Sequence, residues 1–154
     1  MKPVLIGFLV FLTAFSLVNK DSVVIDDATG GFSSYNVNDV SAWLHDNAGP
    51  KEGFILISTA AHDPIVFTSG LPIIRFIHEG TGEYWKQAIK QPDHWARWVA
   101  MRTNDTSDAT FYAMKKSGQM SKYRLAGHFH FADVYELKPE YLGTLNTKPV
   151  LTQK

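Results

Sequence analysis

Cysteine is absent from the 154 residues, which excludes disulfides, thiolate metal sites and a cysteine nucleophile and leaves the redox compartment open. Net charge is absent too: 15 basic residues balance 15 acidic ones, so there is no electrostatic footprint for nucleic acid. No serine stands in a G-x-S-x-G elbow, no lysine follows a glycine-rich turn as in a P-loop, and no paired carboxylates stand out. Hydrolase and nucleotide-binding readings therefore lack the groups their chemistry needs.

What is present is a core. Hydrophobic residues make up 45% of the chain and aromatics 13%, too apolar for a disordered polymer and enough for one ordinary domain. The start is distinct: "MKPVLIGFLVFLTAFSLVNKDS" carries an uncharged stretch, residues 4–18, between Lys2 and Lys20. As a helix it would span roughly 22 Å, which suits a signal-peptide core and is short for a bilayer. No A-x-A-like pair follows it, which favours an uncleaved membrane anchor over a signal peptide; a buried helix is the third alternative. With Lys2 inside, either membrane reading places the rest outside the cytoplasm, anchored or, after cleavage, secreted or periplasmic. Beyond residue 20 there remain 13 basic and 15 acidic residues, so attachment would come from the N-terminal run and not from attraction to anionic lipid.

Residues 21–35 read as a polar linker, residues 36–138 as the extracytoplasmic domain and residues 139–154 as a tail. In "NVNDVSAWLHDNAGP", Val37, Val40, Trp43 and Leu44 share a helical face that ends at Gly49-Pro50. "GFILIST" reads as a strand buried on both faces. Asp63 then caps a short helix with Pro64 at its first position and Gly70 at its end. "IIRFI" is a second strand, "GEYWKQAIKQ" a helix, and "RWVAMR" a third strand. A further helix starts at Thr106 or Ser107 and stops at Gly118, and "KYRLAGHFHFADVYEL" folds about Gly127 as a hairpin. This alternation predicts an α/β fold: a small three-layer, mostly parallel sheet with helices on both faces and a C-terminal antiparallel hairpin, preceded by an N-terminal apolar helix.

In such sheets ligands sit beyond the C-terminal strand ends. The residues expected there are Ser58, Thr59, His62, Asp63, His78, Glu79, Gly80, Thr81 and Arg102. The turn "HEGTGE" could present backbone N–H groups to a phosphate or carboxylate, with His78 or Glu79 as acid or base. The competing expectation is architectural: Gly80 and Gly82 allow a tight turn, Thr81 caps the helix, and Glu79 or Glu83 pairs with Arg75 or with a helix N-terminus. Ligand-contact candidates are His62, Asp63, Arg75, His78, Glu79, Gly80, Thr81, Gly82 and Trp85. Trp85, Trp95 and Trp98 could stack on a sugar, although core packing accounts for their spacing. His128 and His130 with Asp133 are too few for a metal site, so neither metal nor other cofactor is expected.

The ordered run "WLHDN…GFILIST…HDPIVFTSGLPIIRFIHEGTGEYW…WVAMR…YRLAGHFHFADVYEL" resembles the extracytoplasmic C-terminal domain of polytopic bacterial membrane glycosyltransferases. These are related to the protein O-mannosyltransferases and use polyprenyl-phosphate sugars. The resemblance covers about residues 36–137. It implies a domain following a last transmembrane helix, either the tail of a longer protein or a freestanding relative. The family's catalytic acids lie in an early loop that this sequence does not contain, so no catalytic residue carries over. The expected role is an accessory or acceptor-binding domain, not catalytic alone, whose partner is a polytopic glycosyltransferase portion. A secreted small-ligand enzyme using His78 and Glu79 with Asp63 or His62, and a structural interaction module, are the alternatives.

Overall fold

A computed structural model describes residues 32–146 apart from Asn104, without the side chains of residues 32–36 and 61–63. The chain divides into two units, Met1–Tyr35 and Asn36–Lys154. The expected N-terminal apolar helix falls outside the described residues. Among those described, no helix is long and apolar enough to cross a membrane.

The second unit is an α/β fold around a five-stranded mixed sheet. The helices and strands of the described residues are α1 (Phe32–Ala48), β1 (Phe54–Ile57), α2 (Thr59–Thr68), β2 (Phe76–Ile77), α3 (Glu83–Ala88), α4 (Pro92–Trp95), β3 (Ala96–Met101), α5 (Ala109–Ser117), β4 (Tyr123–His128) and β5 (Asp133–Leu137). The strand order is β2-β1-β3-β5-β4. β1 pairs in parallel with β2 and β3, while β5 runs antiparallel to both β3 and β4.

The strands alternate their side chains between two cores, as the pleat requires. Ile55, Ile57, Phe76, Trp98, Ala100 and Val134 face Val37, Val40 and Leu44 of α1 and Ile65 and Val66 of α2. Leu56, Ile77, Val99, Met101 and Leu137 face Trp85 and Ala88 of α3 and Met114 of α5. The helices on either side of β2 therefore cover opposite faces. The chain moves from β1 to β2 over one face and returns past β1 to β3 over the other, which places the topological switch between β1 and β3.

Several elements depart from their expected bounds. The strand "IIRFI" shrinks to Phe76–Ile77, because Ile73–Arg75 form a 3-10 turn that leaves Ile73 and Ile74 about 60% exposed (59% and 63%). α2 begins at Thr59, so Asp63 is not its cap and Pro64 lies inside it. Pro64 is the sixth residue of α2, past its first turn, so the helix forgoes there the N–H that would reach the Ala60 carbonyl. The helix expected over residues 82–91 shortens to α3, and Pro92, its expected boundary, opens a further short helix, α4. The cap of α5 is Asp108, not Thr106 or Ser107. Asp105 instead folds Ser107 into a turn, accepting from its N–H at 2.9 Å and its hydroxyl at 2.6 Å.

The hairpin does not bend at Gly127. β4 continues to His128, which lies opposite Asp133, with a register irregularity between Leu125 and Gly127. Gly127 serves close packing: a Cβ there would stand 2.5 Å from the Phe129 ring. Residues 139–144 of the expected tail form a 3-10 helix, and the Asn146 N–H donates to the His94 carbonyl at 2.8 Å.

Candidate functional site

The C-terminal ends of the parallel strands carry Ser58 and Thr59 after β1, His78 and Glu79 after β2, and Arg102 and Thr103 after β3. Asp133, at the start of the antiparallel β5, and His128, at the end of β4, extend the same edge. Each carboxylate on it already has donors.

Glu79 spans from β2 to the N-terminus of α2. Its carboxylate accepts from the Ser58 hydroxyl at 2.5 Å, the Thr59 N–H at 2.8 Å and the Thr59 hydroxyl at 2.9 Å. Ser58 is the N-cap residue of α2 yet makes no side-chain cap bond, so Glu79 supplies the negative charge that this helix end favours. Partial burial would raise its pKa, but the hydrogen bonds from Ser58, from its own backbone and from Thr59 outweigh burial and hold it below the usual carboxylate value.

Asp108 is fully buried and accepts from Thr110 N–H at 2.8 Å and Phe111 N–H at 3.1 Å, which caps α5, while its other oxygen accepts from Arg102 N–H at 2.8 Å. Asp133 is also buried; Thr103 donates to one oxygen at 2.9 Å and His128 Nδ1 meets the other at 2.5 Å. An ionised carboxylate can only accept, so the His128 Nδ1–H donates. Among the described residues no group of three or more His, Asp or Glu is arranged to hold a metal ion.

The "HEGTGE" turn is also closed on itself. His78 Nδ1 accepts from Gly80 N–H at 3.2 Å, and the Thr81 hydroxyl donates to the His78 carbonyl at 2.6 Å. Thr81 thus closes the 3-10 turn Glu79–Thr81 and does not cap α3, whose N-cap position is Gly82. Gly82 has φ 63°. Glu83 pairs with Lys86 at 2.6 Å. Arg75 pairs with neither glutamate: it reaches the opposite edge of the sheet and donates to the carbonyls of Ala48 at 3.1 Å, Lys51 at 2.8 Å and Gly53 at 2.8 Å.

Open surface lies beside the polar edge. A groove of about 570 Å³ is formed by the β2 region, the turn and α4. Ile73, Ile74, Tyr84 and Trp95 supply apolar wall, and His78, Gly80, Thr81 and Gly82 border it. Tyr84 and Trp95 meet edge to face, with ring centroids 5.7 Å apart. No lysine, arginine or carboxylate lines this groove.

Four of the sequence-level candidates, His78, Gly80, Thr81 and Gly82, come together at this rim. Glu79 and Arg75 are tied to a helix end and to backbone carbonyls, and Trp85 packs into the core from the inner face of α3. The backbone of His62 and Asp63 lies in α2, and their side chains lie outside the described residues. Sequence reasoning missed Ile73 and Ile74 as wall residues because a β-branched pair after a proline reads as strand. The signal available was Pro72, two residues before Ile74, where the chain turns. The chain matches no protein-family model, no curated protein and no solved structure.

Proposed function

We propose that residues 36–146 act as an acceptor-binding domain, accessory to a membrane-embedded transferase of lipid-linked sugars and anchored outside the cytoplasm by residues 4–18. The groove between the β2 turn and α4 is its binding surface. One observation carries this reading: the groove joins exposed isoleucines to an aromatic pair without any charged side chain. Such a lining favours a neutral ligand with an apolar portion and a sugar-like portion, since aromatic faces pack on both. Its volume lies within the usual range for small-ligand sites, roughly 300–1,000 Å³.

Catalysis by His78 and Glu79 receives less support. Glu79 is tied by three donated hydrogen bonds, and its lowered pKa keeps it ionised, so it has no proton to give near neutral pH.

Octyl α-mannoside, held below its micelle concentration, is a suitable probe. Saturable amide and indole shifts are expected at residues 73–84 and Trp95, with loss of binding in Ile74→Asp and an unchanged fold. Shifts that do not saturate, or that map elsewhere, would remove this reading.

A further inference from the structure

A second groove, of about 520 Å³, runs between α3 and α5. Its floor holds Trp85 and Ala113, each 9% exposed. Ile89 and Tyr112 form walls, and Lys90 and Lys116 stand on the rim. None of its lining residues is acidic. Glu83, the acid of α3, is already paired with Lys86 at 2.6 Å. Lys115 and Lys116 sit over the rings of Phe111 and Tyr112, each at 5.9 Å. Among the described residues, Lys90, Lys115 and Lys116 take part in no ion pair.

The helix dipole accounts for part of this pattern, since Lys115 and Lys116 occupy the last turn of α5. The C-terminus of α3 favours Lys90 in the same way, since that lysine follows the C-cap Ile89, but neither dipole accounts for an apolar floor left open beneath two ammonium groups. An inorganic phosphate would meet the lysines and leave that floor uncovered. A neutral apolar ligand would cover the floor and crowd the lysines against low-dielectric surface, where an unpaired charge is costly.

We propose that this groove binds an amphipathic anion, a phosphate or carboxylate held between Lys90 and Lys116 with an aromatic or alkyl body lying on Trp85 and Tyr112. The ammonium groups donate to the anion's oxygens, and the cation–ring contact of Lys116 with Tyr112 keeps that lysine near the groove. The site shares no lining residue with the β2 groove, so either proposal can fail alone. The anion's source is a free phosphate ester or a lipid headgroup.

The test uses 1-naphthyl phosphate and the full chain. Saturable amide shifts are expected at residues 85–90 and 109–117, with affinity about tenfold weaker in the double variant Lys90→Glu, Lys116→Glu. Inorganic phosphate and 1-naphthol, each carrying half of the recognition, should both bind more weakly than the ester. Both lysines are exposed, so an unchanged melting curve would confirm that the variant folds. Displacement of naphthyl phosphate by soluble dihexanoyl phosphatidylglycerol but not by dihexanoyl phosphatidylcholine assigns the headgroup; naphthyl phosphate binding displaced by neither assigns a free ester. Absence of saturation, shifts confined to the β2 groove, or equal affinity in the double variant would overturn the proposal.

Discussion

The polar edge of the sheet and the two grooves beside it differ in what their side chains have left to offer. Along the edge Glu79, Asp108 and Asp133 occupy positions where α/β domains bind ligands, yet all three carboxylates accept hydrogen bonds from this chain's own groups. In the grooves, Ile73 and Ile74 remain exposed and Lys90 and Lys116 make no ion pair among the described residues. Position at the ligand edge is therefore a weaker guide than the hydrogen bonds each group already makes. A carboxylate already holding a helix end has little capacity left for substrate.

The largest effect is expected at Asp108. Asp108→Ala would leave the N–H groups of Arg102, Thr110 and Phe111 without their present acceptor. We expect a loss of about 3 kcal/mol in denaturant melts, combining a lost cap with buried donors left unpaired. Affinity at either groove should stay unchanged under conditions where the variant is folded. Lost binding with unaltered stability would mean that this edge serves a ligand.

Glu79 offers a smaller effect with a pH signature. Its folded pKa is lowered, so its ionised form contributes stability that is fully present above the unfolded value and is lost as pH falls through the folded one. Glu79→Gln should cost about 2 kcal/mol at neutral pH, the scale of hydrogen bonds to a charged group. Its deficit relative to the native chain should close on acidification below the ordinary carboxylate range. A deficit constant with pH would mean that the charge on Glu79 has no part in holding α2.

Much of the fold was legible in the sequence. Residues 54–57 are apolar on both sides and bounded by Gly53, as a strand buried between two layers must be. The face of Val37, Val40 and Leu44 is the face that α1 buries. Illegible were the features set by tertiary partners. Pro72 signals a turn, but nothing local tells that Ile73-Ile74 will form a 3-10 turn and only Phe76-Ile77 will join β1. Nor does anything local show that Glu79 will cap α2, twenty residues earlier in the chain. The rim of Lys90 and Lys116 was hidden for the same reason: α3 and α5 meet only after β3 has passed between them in sequence. Asp108 was closer to legible, because aspartate is among the strongest N-caps, but Thr106 and Ser107 offered rival caps within two residues.

The smallest expected effect separates the two glycines of the turn. At Gly82, φ is 63° with ψ −115°, a conformation that an L side chain strains to adopt whatever space surrounds it, and no atom lies within 4 Å of a Cβ built there. Gly82→Ala should therefore cost about 1–2 kcal/mol through the backbone alone. Gly80 has no positive φ, and its Cβ would meet the Cε1 of His78 at 2.8 Å. That ring can swing aside and forfeit only the long Gly80 N–H contact at 3.2 Å, so Gly80→Ala should cost under about 1 kcal/mol. His78 borders the β2 groove, however, so displacing its ring should weaken octyl mannoside binding, whereas Gly82→Ala should leave that affinity intact once folded. The two variants thus divide the turn's architecture from its ligand contact. If Gly80→Ala proved the more destabilising, the His78 ring would be holding the turn, and the groove's rim would serve architecture just as the sheet edge beside it does.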